Sequence, residues 1–134
     1  MINFSKKIVY LLTIIASISL SSCGTPPDKM GDLDLVAWRK DRGGCENTRK
    51  GQTEQLNAIK VDLIGMSSND IIRIFGKPDA RQIGERNQEA YIYFLEEGPH
   101  CEKVSDPSES LRVVFRFNAI KNLTDFNFQK SMPD

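Results

Sequence analysis

The stretch 65–79, GMSSNDIIRIFGKPD, contains the start, the buried face and the end of one short helix. Ser67 can cap this helix with its hydroxyl, and Asp70 can reach back to the amide of the cap, which makes an S-x-x-D capping box. Four apolar side chains then follow at the spacing of one helical face: Ile71, Ile72, Ile74 and Phe75. Because Gly76 can adopt the left-handed conformation that ends a helix and Pro78 cannot continue one, the sequence predicts that the helix stops here.

The residues after Pro78 change to the alternating pattern that is typical of β-strands. Four segments predict strands: 79–84, 89–96, 111–118 and 123–129. The second, EAYIYFLE, is rich in aromatic and β-branched residues. In the third, Leu111, Val113, Phe115 and Phe117 are expected to face inward, with Arg112, Val114 and Arg116 outward. Residues 97–110, which contain two prolines and Cys101, predict a long loop.

Two more helices are predicted before this stretch. Residues 33–42, LDLVAWRKDR, predict a helix that ends at the glycine pair 43–44, with Leu33, Val36, Ala37 and Lys40 on one side of it. Residues 53–60 predict a second helix. One face of the sheet is apolar and needs a cover, and the helices are the candidates. The fold class expected for residues 33–130 is therefore α+β: a two-layer sandwich with N-terminal helices packed on one face of a three- to four-stranded antiparallel sheet.

The N-terminal residues 1–22 have the pattern of a signal peptide. Lys6 and Lys7 precede an uncharged, mostly apolar run from Ile8 to Leu20. This run has 13 residues, whereas a helix that spans a bilayer needs roughly 20. The interpretation is a leader that is removed, and the alternatives are an uncleaved short anchor or an ordinary secreted protein.

The end of this leader, Leu20-Ser21-Ser22-Cys23, resembles the bacterial lipobox. The resemblance implies diacylglycerol transfer to the Cys23 thiol, cleavage before it and acylation of the new amino terminus. Several acyl chains would hold the protein on a membrane almost permanently. Gly24 stands where many inner-membrane lipoproteins have Asp, so by resemblance to that sorting rule the outer membrane is favoured. Residues 24–32, GTPPDKMGD, predict a flexible tether after the lipidated Cys23.

The charge of the mature chain argues against two classes of partner. Without residues 1–22 it has 16 basic and 18 acidic residues, a formal charge of −2. No basic stripe is present that would bind nucleic acid. No polybasic segment is present as a second membrane signal, so membrane association is expected through the N-terminal lipid alone.

The two remaining cysteines, Cys45 and Cys101, are expected to form a disulfide, because cysteines in an oxidising envelope compartment usually pair. The alternative is a reactive thiol, since His100 directly precedes Cys101. Neighbouring residues in an extended segment point in opposite directions, which favours the disulfide. His100 has no partner at a His-x-x-x-His or Cys-x-x-Cys spacing, and no phosphate loop or Ser nucleophile motif is present. We therefore expect no enzyme activity, no catalytic residue, no metal site and no cofactor.

Three aromatic residues are candidates for partner contact: Trp38, Tyr91 and Tyr93. For Trp38 the alternative is a place in the core, and this is favoured because a small domain rarely leaves its only tryptophan unburied. Strand edges and the loop 97–110 are the other expected contact regions.

Residues 65–79, YIYF at 91–94, LRVVFRFN at 111–118 and the turn into a closing strand together resemble the SmpA/OmlA/BamE family of lipoproteins. The residues at matching positions are Gly65, Met66, Ser67, Ile71, Phe75, Gly76, Pro78, Tyr93, Val113 and Phe115. Departures are Phe75 where Leu is usual, tyrosines where Trp is commoner in the first aromatic strand, and the extension 33–60. The fold of the family is similar to that of β-lactamase inhibitor proteins.

The resemblance implies a domain on the periplasmic face of the outer membrane that assists the machinery for assembly of outer-membrane β-barrels. The first hypothesis is thus a lipid-anchored envelope binding module for a protein partner, in barrel assembly or envelope integrity. The second is a lipoprotein of the same fold that binds another soluble or envelope partner, as an inhibitor does. An enzyme that uses Cys101 and His100 is the third and least favoured.

Overall fold

The computed structural model describes residues 24–131, so the predictions for residues 1–22 and Cys23 lie outside the described residues. Within this range the chain forms, in order, β1 (Lys29–Met30), β2 (Leu33–Asp34), α1 (Leu35–Lys40), α2 (Thr53–Ala58), α3 (Lys60–Leu63), α4 (Ser68–Phe75), β3 (Ala80–Ile83), β4 (Glu89–Phe94), β5 (Arg112–Phe117) and β6 (Leu123–Gln129). In the described part of the chain, no helix is both long enough and apolar enough to cross a membrane.

The main sheet is an antiparallel meander with the strand order β3-β4-β5-β6. Its register places Tyr91 opposite Phe115 and Tyr93 opposite Val113, and it places Phe126 opposite Phe115 on the other side. Side chains alternate between the two faces of a strand, so these residues share one face, which we call the inner face. The predicted α+β class with a four-stranded antiparallel sheet is confirmed.

Aromatic side chains connect the helices to the inner face. The ring of Phe75 from α4 lies 5.2 Å from Phe115, and the ring of Trp38 from α1 lies 5.5 Å from Phe75 and 6.2 Å from Tyr93. All four side chains are fully buried. Tilted and edge-to-face pairs of this kind contribute about 0.5–1.5 kcal/mol each beyond the area that they bury. The N-terminal helices therefore cover one face of the sheet, as the apolar pattern predicts.

Helix α4 has the ends that its sequence predicts. The Ser67 hydroxyl accepts a hydrogen bond from the Asp70 amide (3.1 Å) and donates one to the Asp70 carboxylate (2.7 Å). The hydroxyl of Ser67, together with Arg73, holds the pKa of Asp70 below its usual range. Gly76 ends the helix at φ +81°, and the Tyr93 hydroxyl donates to its carbonyl oxygen (2.8 Å). The end of α4 is thereby fixed to the sheet.

The bounds of the first predicted helix are wrong. The helix begins at Leu35 rather than Leu33, because the Asp34 carboxylate caps it by accepting from the Ala37 amide (3.0 Å). Its buried residues are Leu35 and Trp38, whereas Val36 is exposed. Leu33 is buried from strand β2, so it cannot set the phase of the helix.

Two predicted boundaries also change. The helix expected at 53–60 is broken at Ile59, and its second part continues as α3 to Leu63. Residues expected to be tether belong in part to the domain: β1 pairs with β2, and Arg39 donates to the Pro27 carbonyl oxygen (2.9 Å). The domain therefore starts about six residues earlier than the sequence pattern indicates.

Gly44 allows a close approach that positions the candidate site. It lies in a single turn of 3₁₀ helix, Arg42–Gly44, with φ +66°. A Cβ atom there would lie 2.6 Å from the carbonyl carbon of Leu95, directly after β4. This turn therefore packs backbone against backbone on the end of β4, which a side chain would prevent.

Candidate functional site

A cavity of about 510 Å³ lies on the outer face of the sheet, which is opposite the helices. Its floor includes Phe94 of β4 and Arg112 of β5, and its walls are the turn 42–45 and the loop segment 100–108. Small-molecule sites in proteins usually have volumes of about 300–1,000 Å³. The size of the cavity therefore suits a small ligand or an inserted side chain of a protein partner.

A disulfide joins the two walls. Cys45 and Cys101, 56 residues apart in sequence, are bonded, with their Cα atoms 5.8 Å apart. In the chain-entropy model, a cross-link between residues this far apart in the sequence stabilises the folded state by roughly 4 kcal/mol. The bond predicted from the two cysteines is present, and it attaches the loop 97–110 to the N-terminal half of the domain.

His100 lies beside the disulfide, at one corner of the cavity. The residue is 6% exposed, and its ring stacks on Phe94 with a centroid distance of 3.8 Å. The Nε2–H group donates to the Gly43 carbonyl oxygen (2.7 Å), and Nδ1 lies 2.9 Å from the Ser108 hydroxyl oxygen. His100 thus connects the turn 42–45 and the loop segment 100–108 to Phe94 of the sheet.

A chain of hydroxyl groups connects Nδ1 to the base of the loop 97–110. The Ser108 hydroxyl donates to Ser110 (2.9 Å), which in turn donates to the Glu97 carbonyl oxygen (2.8 Å). The imidazole is therefore linked through two serines to the backbone at the start of this loop.

The expected separation of His100 and Cys101 is wrong. Pro99–Cys101 forms a turn of 3₁₀ helix rather than an extended segment, and so the two side chains lie on one side, with Nε2 3.6 Å from the Cys101 Sγ atom. Among residues 24–131, the ligating atoms of Cys45, His100 and Cys101 form a cluster within 4.8 Å of one another. In the disulfide neither sulfur is a thiolate, so neither is a nucleophile.

Beside the cavity, the carboxylate of Asp79 joins three segments. One oxygen accepts from the Gly43 amide (3.0 Å). The other accepts from the Phe94 amide (2.9 Å) and from the Arg49 guanidinium (2.7 Å). This ion pair is buried, with 1% of the Arg49 side chain and 9% of the Asp79 side chain exposed.

Arg49 also connects this ion pair to the aromatic core. Its guanidinium carbon lies 5.2 Å from the centre of the Trp38 ring and 5.6 Å from that of Tyr93, and its Nε–H donates to the Trp38 carbonyl oxygen (3.0 Å). The buried Asp41 carboxylate accepts from the Arg49 amide (3.0 Å). These contacts satisfy the buried charges and position the wall of the cavity.

Arg112 lies on the outer face, as predicted, but it is fully buried. Its guanidinium donates to the carbonyl oxygens of Ser108 and Lys130 and to that of Ser110 (3.2 Å), and it lies 4.8 Å from the Phe94 ring. Burial lowers the pKa of Arg112. The alternating pattern predicts only the face of the sheet on which Arg112 lies. The structure adds that Arg112 holds the end of the loop 97–110.

Glu96 fixes the base of the same loop. Its carboxylate accepts from the Leu111 amide (2.9 Å) and pairs with the Lys50 ammonium (2.7 Å). The hydrogen bond from Lys50, and after it the one from Leu111, holds the pKa of Glu96 below its usual range. The two ends of the loop are thus connected to each other and to the segment before α2.

The three aromatic candidates for partner contact are all in the core, which confirms the favoured position of Trp38 and makes the expected exposure of Tyr91 and Tyr93 wrong. Trp38 and Tyr93 are fully buried and Tyr91 is 3% exposed. Tyr91 packs on Phe117 with a ring distance of 4.6 Å, and burial raises the pKa of Tyr93. These side chains lie on the inner face of the sheet, which the apolar residues of the helices cover.

The comparisons with known proteins return no match: no protein-family model, curated protein or solved structure is similar enough to this chain to assign it to a family.

We predict that Asp79→Ala lowers the free energy of unfolding by about 3–5 kcal/mol, because it leaves the Arg49 charge buried without its carboxylate. The matched control is Asp125→Ala. Asp125 pairs with Lys60 at 2.6 Å, but 55% of its side chain is exposed, so the loss there should be below about 1 kcal/mol. Urea unfolding measures both, and equal losses would contradict the importance of the buried pair.

Proposed function

We propose that this protein is a lipid-anchored binding module of the bacterial envelope, accessory to outer-membrane protein assembly or envelope integrity. The main observation in its support is that β3, among the described strands, forms one edge of the sheet and lies directly beside the cavity. The lipobox Leu20-Ser21-Ser22-Cys23 supports the anchor, and the Cys45–Cys101 disulfide agrees with an oxidising compartment.

Strand β3 provides hydrogen-bonding groups for a partner. Among the described strands it pairs with β4 alone, and Ile83 on it is 77% exposed. An extended segment of a partner could add to this edge through main-chain hydrogen bonds. The cavity would then take a side chain of the partner, since Ala80 of β3 is part of its lining.

The loop 97–110 adds an apolar residue to the same surface. Val104 is 86% exposed and borders the cavity. We define the proposed partner surface by β3, the cavity and Val104. A short edge strand with exposed apolar side chains beside it is favourable for recognition by a partner.

The other edge of the sheet is less accessible. The Lys60 ammonium donates to the Phe126 carbonyl oxygen of β6 (2.8 Å) and pairs with Asp125. Ser67 and Asn122 form a bridge just before β6. Because α3 and the start of α4 already contact this side, β3 is the edge that favours a partner.

The anchor is tested by replacing Cys23 with alanine. We expect the wild-type protein to incorporate an alkyne-tagged fatty acid and the Cys23→Ala variant to incorporate none, because the thiol is the acceptor of the lipid. Cys45→Ser is the control and should keep the label. Labelling of Cys23→Ala at the wild-type level would contradict the proposed anchor.

The partner surface is tested by photo-crosslinking in cells, with a photoreactive amino acid at Ile83, Val104 or Val61. Val61 on α3 is 85% exposed and is the matched control for exposure. We expect Ile83 and Val104 to capture the same envelope protein and Val61 not to capture it. A common product from all three positions, or none from Ile83 and Val104, would contradict this surface. A soluble product would favour the inhibitor-like alternative.

A further inference from the structure

We propose that reduction of the Cys45–Cys101 disulfide converts one corner of the cavity into a zinc site whose ligands are Cys45, Cys101 and His100. The site is the cluster whose ligating atoms already lie within 4.8 Å of one another. The inference does not rest on the lipid anchor or on the proposed partner surface. It assigns to the disulfide a second, redox-dependent state.

One distance in the cluster already suits tetrahedral zinc. With Zn–S bonds of about 2.3 Å and Zn–N bonds of about 2.0 Å, a sulfur and a nitrogen ligand lie about 3.5 Å apart and two sulfurs about 3.8 Å apart. The Cys101 Sγ atom lies 3.6 Å from His100 Nε2. The two Cα atoms are 5.8 Å apart, so after reduction the sulfurs can separate by rotation of their side chains while the backbone stays in place.

His100 has a neighbour that can fix it as a metal ligand. A zinc-bound histidine usually donates its other ring N–H to an oxygen that fixes the tautomer and the direction of the ring. The Ser108 hydroxyl oxygen lies 2.9 Å from Nδ1 and can accept this hydrogen bond. Stacking on Phe94 at 3.8 Å restrains the ring. Nε2 donates to the Gly43 carbonyl oxygen (2.7 Å) in the oxidised chain, so zinc binding replaces this hydrogen bond and requires that the carbonyl turn away.

The backbone approaches these atoms at a residue without a side chain. A Cβ atom on Gly43 would be 3.1 Å from Cys45 Sγ and 3.8 Å from His100 Nε2, so glycine keeps this position open. The cavity is lined by Cys45, His100 and Cys101 together. Three protein ligands with an open fourth position for water is an arrangement that zinc adopts in proteins.

The ligand set favours zinc over the hard cations. Thiolate and imidazole bind soft and borderline metals, whereas magnesium and calcium require oxygen ligands. Zinc has no redox chemistry of its own under these conditions, so it would restrain the two walls as the disulfide does, without further reaction. The loop 97–110 would then remain attached in both states.

The conversion balances with a dithiol as reductant. The dithiol gives two electrons and two protons to the S–S bond and becomes a disulfide, and Cys45 and Cys101 become thiols. Zinc binding releases the two thiol protons, and the proton on Nε2 moves to Nδ1 or to solvent. In the reverse direction a small-molecule disulfide takes two electrons from the two thiolates and becomes a dithiol, the S–S bond forms again, and the metal is expelled.

Cobalt(II) titration tests the site, with the chain reduced by a phosphine that does not itself bind the metal. We expect one cobalt per reduced chain, with thiolate-to-cobalt charge-transfer absorption that zinc removes, and none in the oxidised chain. His100→Gln should bind at least ten-fold more weakly. Glu102→Gln, which changes an exposed acidic residue next to Cys101, is the matched control and should bind like the wild type.

Three results would overturn the proposal: no cobalt bound by the reduced chain, equal affinity in His100→Gln and the wild type, or a reduced chain that unfolds and is not refolded by zinc. Circular dichroism of the oxidised His100→Gln chain checks that the variant keeps the fold. Protection of the loop 97–110 from proteolysis provides a second measurement. It should fall on reduction and return when zinc is added to the wild type, but not when zinc is added to His100→Gln.

Discussion

The carboxylate of Asp79 is the group on which the other features depend. It accepts hydrogen bonds from the amides of Gly43 and Phe94 and pairs with Arg49. In this way it joins the turn 42–44, the segment before α2 and the end of β4. A buried carboxylate is costly unless its oxygens are satisfied, and here three donors satisfy them. Because Arg49 also contacts Trp38, this one charge connects the helical layer to the wall of the cavity.

Much of the fold was predictable because its signals are local. The capping residues Ser67 and Asp70, the glycine at 76 and the alternating strand 111–118 each act within a few residues, and the structure has α4 and β5 where they indicate. The phase of α1 was not predictable in the same way. Because Asp34 caps the helix, it starts two residues later than the apolar pattern implies. The hydrogen bond of the cap determines the start of this helix more strongly than the apolar pattern does.

The candidate site depends on contacts between residues that are far apart in the sequence. No local spacing pattern indicates such contacts. Arg49 and Asp79 are 30 residues apart, and His100 and Gly43 are 57 apart. Arg49 lies in a polar segment that resembles a solvated surface, and Tyr91 and Tyr93 have the composition of a contact surface although they are core. The one long-range contact that the sequence did predict is the disulfide, because cysteine chemistry in an oxidising compartment restricts the pairing to Cys45 and Cys101.

Native-state hydrogen exchange of the Gly43 and Phe94 amides tests the role of Asp79 most directly, since both donate to its carboxylate. We predict that both amides exchange only through global unfolding, with the opening free energy that denaturant unfolding gives for the whole domain. The amide of the exposed residue Val104 gives the reference for local opening. Exchange of Gly43 and Phe94 at the rate of Val104 would contradict this role of Asp79.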